Sequence, residues 1–269
     1  MTLFNSLLLG VVQGLTEFLP VSSSGHLILA RELLGIQTQS GLAFDAVLQL
    51  GTTVAVIIYF RKTIYQLCCD ALLCIAGRGK DVRQEDKNLL ICLIIGTLPA
   101  LVLGLMLEKT METIFRNPLW VAAGLFIGSI LFFMAEKFAR QRQTLPTTPQ
   151  SVGVGFFQAL ALLPGMSRSG STISGGLLFG LNREAATRFS FLLSLPIIAG
   201  SGLKKLFDIV RHGNLDTPLF QLAVGCFVAG IVGWFCIDFL LRYLKNHTLY
   251  AFIAYRLTVA VIILFVFWR

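Results

Sequence analysis

Pro164-Gly-Met-Ser-Arg-Ser-Gly-Ser-Thr172 interrupts an otherwise apolar half of the sequence. Its two glycines, one proline and four hydroxyl side chains favour broken backbone over helix interior. Arg168 lies in the middle, and a charged side chain at membrane depth needs an ion pair, a water-filled cavity or an anionic ligand. A helix that begins here would direct its first N–H groups at one spot, and a guanidinium matches phosphate geometry. The stretch therefore predicts a phosphate-binding turn.

The same residues also allow a structural interpretation, in which Ser and Gly permit close helix packing and Arg168 extends to the membrane interface. A second copy of the pattern weighs against that interpretation. Positions 10–35 align without a gap with positions 155–180, and nine of the 26 positions are identical. The identical pairs are Gly10/Gly155, Gln13/Gln158, Leu15/Leu160, Ser22/Ser167, Ser24/Ser169, Gly25/Gly170, Ile28/Ile173, Leu33/Leu178 and Gly35/Gly180. We interpret this as an internal duplication.

The composition is that of a polytopic membrane protein. Of 269 residues, 55% are hydrophobic and 13% are charged, and the mean hydropathy is +0.78, which excludes an ordinary soluble domain. The net charge of +8 comes from cations that lie between apolar runs, so it indicates membrane orientation and no nucleic-acid partner. The six cysteines form no CxxC pair, and we expect reduced thiols.

Six apolar runs are long enough to cross a bilayer. They are Leu42 to Phe60, Leu89 to Leu107, Pro118 to Ala135, Phe189 to Leu206, Pro218 to Leu241 and Tyr250 to Trp268. Two further apolar stretches, Thr2 to Leu34 and Ser151 to Leu181, are broken in the middle and predict re-entrant helical hairpins. The basic segment Arg61 to Lys87 is predicted to be a cytoplasmic loop.

The predicted fold is therefore an all-α polytopic membrane protein, with residues 1–269 forming one integral-membrane domain. Its repeat units are approximately residues 1–145 and 146–269, each with one re-entrant hairpin and three transmembrane helices. An odd number of spans gives the second unit the opposite topology. The two hairpin tips should then meet near the midplane of the bilayer, where inverted-repeat proteins hold their ligand.

The two copies differ at the positions that carry chemistry. Ser23 corresponds to Arg168, Glu17 to Leu162, and His26 to Ser171. One tip brings a carboxylate, an imidazole and hydroxyls, and the other brings a cation, which together suit phosphoryl transfer. The structural alternatives are a Glu17–Arg168 ion pair that joins the hairpins, a structural imidazole at His26 and a helix cap at Ser22.

Two other polar groups lie in the predicted spans. Asp45 and Gln49 share a helix face, and they either line the cavity or make interhelix hydrogen bonds. Tyr255 and Arg256, near the start of the last span, are predicted to anchor that helix at the membrane interface, and a contact of Arg256 with an anionic head group is the alternative.

Gln13-Gly-Leu-Thr-Glu-Phe-Leu-Pro-Val-Ser-Ser-Ser-Gly-His26 and Pro164 to Thr172 resemble the two signature motifs of the undecaprenyl pyrophosphate phosphatase family, also called the bacitracin-resistance family. The resemblance extends over essentially the whole chain, including Phe189 to Leu193 and Tyr255-Arg256. It implies a bacterial inner-membrane enzyme that hydrolyses undecaprenyl pyrophosphate to undecaprenyl phosphate and inorganic phosphate. This activity recycles the lipid carrier of cell-wall synthesis and protects against bacitracin.

The resemblance also implies roles for individual residues. Arg168 would bind the pyrophosphate, Ser23 would be the nucleophile beside His26 for proton transfer, and Glu17 would be the base or a metal ligand. A direct attack by His26 and an activated water remain alternatives. The expected substrate-binding residues are Gln13, Ser22, Ser24, Gly165, Ser167, Ser169, Gly170 and Thr172. The implied cofactor is Mg²⁺ or Ca²⁺, although Gln13 stands where the family motif allows Glu, so Glu17 is the one certain carboxylate.

A transporter is the main functional alternative, because paired broken helices in inverted repeats are typical of carriers of anions or lipid phosphates. Glu17 and His26 favour catalysis, since a phosphate carrier gains little from a carboxylate beside its anion. The expected partners are an isoprenoid pyrophosphate lipid and the bilayer, and a homodimer is compatible with the sequence. The family resemblance favours a cavity that opens to the periplasmic side.

Overall fold

A computed structural model describes residues 1–36, 41–114, 117–212 and 218–267, and nearly all of this part of the chain is α-helical. The helices in chain order are α1 (Leu3–Phe18), α2 (Ser23–Leu33), α3 (Gly41–Tyr59), α4 (Arg61–Ile75), α5 (Gln84–Ile114), α6 (Pro118–Phe138), α7 (Thr148–Leu160), α8 (Arg168–Leu178), α9 (Arg183–His212), α10 (Leu219–Asn246) and α11 (Tyr250–Phe267). The prediction of an all-α polytopic membrane protein is confirmed.

Five helices in the described part of the chain are long and apolar enough to cross a membrane. They lie within α5, α6, α9, α10 and α11, and so match five of the six predicted spans. The sixth, Leu42 to Phe60, corresponds to α3, which meets the same criterion only together with α4. Trp268, the predicted end of the last span, lies outside the described residues.

The segment after Phe60 is a helix and not the predicted loop. The chain bends by 83° between α3 and α4. The basic residues Arg61 and Lys62 favoured a loop in the sequence, but α4 continues for 15 residues because it buries Leu67 and Asp70 on one side. The side chain of Gln66 donates to the Asp70 carboxylate at 3.1 Å, which satisfies the buried charge in part.

Two helical hairpins, α1–α2 and α7–α8, repeat the same local structure at the predicted spacing of 145 residues. α1 and α7 begin at residues 3 and 148, and α2 and α8 cover residues 23–33 and 168–178. Before α2 and α8, the backbone of Ser22 and Ser167 has positive φ angles of 76° and 69°. Such angles strain a residue other than glycine, so the same unusual turn is built twice.

Each hairpin packs against a long helix from the other half of the chain. The first helix of the first hairpin lies against α10, where a Cβ on Gly10 would be 2.5 Å from the carbonyl oxygen of Gly225. The first helix of the second hairpin lies against α5, where a Cβ on Gly155 would be 2.5 Å from the carbonyl oxygen of Gly96. This crossed packing, together with contacts between α3 and α9, places both hairpin tips in the interior.

The largest cluster of buried apolar side chains surrounds these tips. Phe18 from α1 contacts Phe191 from α9 edge to face, with 5.3 Å between the ring centroids. Phe132 from α6 belongs to the same cluster and is fully buried. Rigid packing on several sides therefore holds the polar tips in place.

Candidate active site

A cavity of about 170 Å³ lies between the two hairpin tips. Both halves of the chain contribute to it, through the hairpins and through helices α3, α5 and α9. Its polar lining consists of Thr16, Glu17, Ser22, Ser23, Ser24, Gln49, Gln158, Ser167, Arg168 and Ser201. Its apolar lining consists of Ala100, Ala161, Leu162, Leu163, Ile197 and Ile198.

Glu17 is the centre of the hydrogen-bonding network in this cavity. One carboxylate oxygen, Oε1, accepts from Nη2 of Arg168 at 2.7 Å. The other oxygen, Oε2, accepts from Oγ of Ser23 at 2.9 Å and from Nε2 of Gln13 at 2.9 Å. The structure thus brings together four of the predicted site residues, and it joins the two hairpins by an ion pair.

Arg168 is the first residue of α8, so its side chain lies at the positive end of that helix. The side chain is 13% exposed, and its Nη1 atom is buried without a hydrogen-bond partner among the described residues. The helix α2 begins at Ser23 on the opposite wall. Two helix N-termini and a free guanidinium N–H therefore meet in one cavity, which favours an anion there.

Three of the predicted substrate-binding serines line the cavity, namely Ser22, Ser24 and Ser167. Within each turn the hydroxyls contact one another, at 3.1 Å between Ser22 and Ser24 and at 3.2 Å between Ser167 and Ser169. The hydroxyl of Ser169 points away from the cavity and donates to the carbonyl oxygen of Leu19 at 3.3 Å, which ties the two tips together.

The other predicted binding residues lie behind the cavity wall. Gln13 reaches the cavity only through Glu17, and the hydroxyl of Thr172 lies 2.5 Å from that of Ser190 on α9. Gly170 is required by close packing, since a Cβ there would be 1.9 Å from the ring of Phe132. Gly165 has a φ angle of 87°, so the turn needs glycine at this position.

His26 is not among the residues that line the cavity. Its Nδ1 atom is 2.8 Å from the carbonyl oxygen of Ser22, and its Nε2 atom is 2.7 Å from the hydroxyl of Tyr255, whose ring stacks against the imidazole. Because a carbonyl oxygen only accepts, Nδ1 carries a proton, and a neutral His26 accepts from Tyr255 through Nε2. In this geometry the imidazole supports the Ser22 turn rather than contacting Ser23.

Arg256 is fully buried, so the prediction of an interfacial anchor is wrong for this residue. Its guanidinium donates from Nη2 to the carbonyl oxygens of Gly165 and Leu125, at 3.0 and 3.1 Å, and from Nε to the hydroxyl of Ser129 at 3.2 Å. The ring of Phe132 lies 4.5 Å from the guanidinium carbon. Arg256 therefore holds the turn that precedes Arg168.

Of the two polar residues on the face of α3, only Gln49 lines the cavity, while Asp45 forms an ion pair with Arg31.

Three residues that line the cavity were not predicted from the sequence, namely Thr16, Gln158 and Ser201. Thr16 directly precedes Glu17, and Gln158 is the duplicate of Gln13, so both carried a usable signal. Ser201 lies in an apolar run, and it lines the cavity only because α9 packs beside the hairpin tips.

A divalent cation in this cavity would need oxygen ligands, and Glu17 is the carboxylate in the cavity lining. Among the described residues, no group of three or more His, Cys, Asp or Glu side chains could hold a metal ion. Mg²⁺ is, however, commonly held by one or two carboxylates together with substrate phosphates. Beside Glu17, the amide oxygen of Gln13 is buried and has no hydrogen-bond partner among the described residues, although Gln13 does not line the cavity.

A larger groove of about 570 Å³ runs along the outer face between α3 and α10. Its lining is apolar and includes Leu50, Val54 and Trp234. Leu50 directly follows Gln49, which lines the polar cavity, so the groove and the cavity adjoin the same turn of α3.

Comparisons with known proteins agree over nearly the full length of the chain. The family described as bacitracin resistance protein BacA matches residues 6–262. A relative from Rubrobacter xylanophilus, named undecaprenyl-diphosphatase, is 42% identical over 264 residues, which cover 97% of each chain. A relative of the same name from Moorella thermoacetica is 42% identical over 270 residues, which cover 100% of this chain and 99% of the relative.

Proposed function

We infer that this chain, which belongs to the bacitracin resistance protein BacA family, is an undecaprenyl-diphosphatase. It hydrolyses undecaprenyl pyrophosphate to undecaprenyl phosphate and inorganic phosphate, and it confers bacitracin resistance. The observation that carries the chemical assignment is the contact of one carboxylate with both a hydroxyl and a guanidinium, which places Ser23, Glu17 and Arg168 in one cavity.

We propose that Arg168 binds the pyrophosphate through Nη1 while Nη2 remains on Glu17. The two contacts would hold the phosphate beside the Ser23 hydroxyl, and the N-termini of α2 and α8 would add favourable partial charge. Stabilising the charge that develops on transferred phosphoryl oxygens is the main demand of this reaction. Ser22, Ser24 and Ser167 complete the polar wall.

In the proposed reaction, Oγ of Ser23 bonds to the terminal phosphorus, and the bond from that phosphorus to the bridging oxygen breaks. Glu17 accepts the proton from Ser23, and undecaprenyl phosphate leaves with the bridging oxygen. Water then attacks the phosphoserine, and the bond from phosphorus to Oγ breaks. Glu17 returns its proton to Oγ of Ser23, and both protons of the water leave with the inorganic phosphate. A base 2.9 Å from a hydroxyl is the geometry that activates a serine, which favours Ser23 over His26 as the nucleophile.

We further propose that Glu17 and the amide oxygen of Gln13 are the residues that would hold Mg²⁺ or Ca²⁺. A bound divalent cation would neutralise negative charge on the pyrophosphate oxygens. Gln13 also positions Glu17 directly, because its Nε2 donates to the same carboxylate oxygen that accepts from Ser23.

The apolar spans make this a multi-pass membrane protein of bacteria. We propose that it lies in the inner membrane as an inverted repeat of units 1–145 and 146–269, with the basic segment Arg61 to Lys87 in the cytoplasm and the cavity open to the periplasm. The isoprenoid tail would lie in the groove between α3 and α10, which adjoins the cavity at Gln49 and Leu50. A homodimer and the lack of a nucleic-acid partner stay predictions.

The direct test is phosphate release from undecaprenyl pyrophosphate by the purified protein in detergent. The assay is run with a chelator and then with added Mg²⁺ or Ca²⁺, and it compares the wild type with Arg168→Ala. We expect release by the wild type in the presence of a divalent cation and a loss of about a hundredfold or more in the folded variant.

If the wild type releases no phosphate with any cation, the hydrolase assignment fails. Lipid movement across vesicles would then test the alternative, a carrier that uses the same two broken helices. Equal release with and without the chelator would refute the divalent-cation proposal while leaving the hydrolase assignment intact.

A further inference from the structure

Gln158 on α7 is a buried cavity residue whose amide group has no hydrogen-bond partner among the described residues. Its side chain lines the cavity between the hairpin tips, and the residue is 2% exposed. Within the described part of the chain, neither its amide oxygen nor its amide nitrogen has a hydrogen-bond partner. A buried amide without partners destabilises a fold, so such a group in a native cavity suggests a ligand that satisfies it.

Gln13, the residue that corresponds to Gln158 in the first copy, does have a hydrogen-bond partner for its amide nitrogen. The amide nitrogen of Gln13 donates to the carboxylate of Glu17 one helical turn later, at 2.9 Å. The residue one turn after Gln158 is Leu162, which cannot accept a hydrogen bond. The second copy has therefore kept the amide and lacks the acceptor that satisfies it in the first copy.

The surroundings of Gln158 identify the chemical class of the missing partner. Arg168, from the same hairpin, has a second unpartnered donor, Nη1, and lines the same cavity. Glu17 on the opposite wall already has partners on both carboxylate oxygens. The second hairpin thus presents two free N–H donors, one charged and one neutral, which suits a ligand rich in negatively charged acceptor oxygens.

We propose that Gln158 contacts the substrate directly, with its Nε2–H donating to a non-bridging oxygen of the pyrophosphate. This inference rests on the proposed function and adds a binding residue to that site. A neutral donor in the same cavity as Arg168 recognises a second phosphate oxygen without adding a buried charge that would itself need a partner.

The test compares Gln158→Leu and Gln158→Glu with the wild type in detergent, using undecaprenyl pyrophosphate. Removing a hydrogen bond to a charged group should lower kcat/KM about ten- to a hundredfold, and the negative charge of Gln158→Glu should lower it further. The melting temperature of Gln158→Leu should stay equal to that of the wild type or rise, because the substitution removes an unsatisfied buried amide.

Gln221→Leu is the matched control. Gln221 on α10 also has a buried amide oxygen without a partner among the described residues, but it does not line this cavity. We expect this variant to keep wild-type kinetics. A second readout is the rise in melting temperature that inorganic pyrophosphate produces, which should shrink in Gln158→Leu and persist in Gln221→Leu.

Gln158→Leu with wild-type kcat/KM and an unchanged pyrophosphate shift would overturn the proposal. A fall in melting temperature that accompanies the loss of activity would also overturn it, because it would show a structural role. If the wild type binds inorganic pyrophosphate through Gln158 but hydrolyses nothing, the binding role stands and the proposed function fails.

Discussion

Nη2 of Arg168 lies 2.7 Å from Oε1 of Glu17, although 151 residues separate them in the chain. Both side chains are largely buried, with 13% and 5% exposed. The ion pair links the two hairpins, and both of its side chains line the same cavity. The structural and the catalytic interpretations of this pair can be separated by experiment.

We predict that Glu17→Gln and Arg168→Met each lower both activity and stability. Each variant leaves one buried charge without its partner, which costs about 3–5 kcal/mol of unfolding free energy. The double variant Glu17→Gln/Arg168→Met should recover most of the lost stability, since neither charge remains, but should recover no activity. Thermal unfolding midpoints in detergent and phosphate release measure the two effects.

Recovered activity in that double variant would show that the pair serves only to hold the hairpins together. A double variant as unstable as the single variants would show that the ion pair is not what joins the tips. Arg188→Met is a suitable control, because Arg188 pairs with Glu184 on the exposed face of α9. Surface pairs of this kind contribute little to stability.

Ser23→Ala should lower kcat by a hundredfold or more if Ser23 is the nucleophile, since no other group would replace its oxygen. The matched control is Ser194→Ala, which removes a fully buried hydroxyl on α9 that donates to the carbonyl oxygen of Phe191 at 2.6 Å. Acid quenching of the wild type during turnover should trap phosphate on Ser23. A loss of tenfold or less without a trapped intermediate would instead indicate attack by water.

The hairpin tips could be predicted from the sequence because their signals are local. Serines, glycines and an arginine inside apolar segments indicate broken helices wherever they occur. The constant spacing of 145 residues relates the two copies without any information on packing. The matching positive φ angles of Ser22 and Ser167 are the structural counterpart of that repeat.

The missed features depend on contacts between distant segments. Arg256 resembled an interfacial anchor because its position near a helix start is common for such residues, yet it is bound by carbonyl oxygens from α6 and from the turn at Gly165. The charges of Arg61 and Lys62 favour a loop, and they give no indication that one side of α4 buries Leu67. No local pattern around His26 indicates its contact with Tyr255, which lies 229 residues away in the chain. A role of His26 in proton transfer stays a prediction.

Close backbone packing at Gly124 should be essential for the position of Arg168. A Cβ on this residue would be 1.9 Å from the carbonyl oxygen of Pro164, in the turn that leads to Arg168. Gly124→Ala should therefore lower the unfolding free energy by about 1–3 kcal/mol and also reduce kcat. Circular dichroism melts and phosphate release would measure the two changes.

Gly200→Ala is the control for that variant. A Cβ on Gly200 in α9 would meet no heavy atom within 4 Å in the described part of the chain. Alanine should stabilise this helix by about 0.5–1 kcal/mol relative to glycine and leave activity unchanged. A Gly124→Ala variant that behaves like Gly200→Ala would show that the turn at Pro164 tolerates displacement.

The outer groove between α3 and α10 predicts how the enzyme should respond to the length of the lipid tail. Val54 lines this groove and is 51% exposed, whereas Val102 on α5 is 52% exposed and lies outside it. Val54→Trp should fill part of the groove, and displacing one or two CH₂ groups of the tail at about 0.8 kcal/mol each corresponds to about a four- to fifteenfold rise in KM. The rise should be clear for undecaprenyl pyrophosphate and smaller for an isoprenoid pyrophosphate with a short tail. Val102→Trp makes the same change on another lipid-facing surface, so equal KM values for the two variants would place the tail elsewhere.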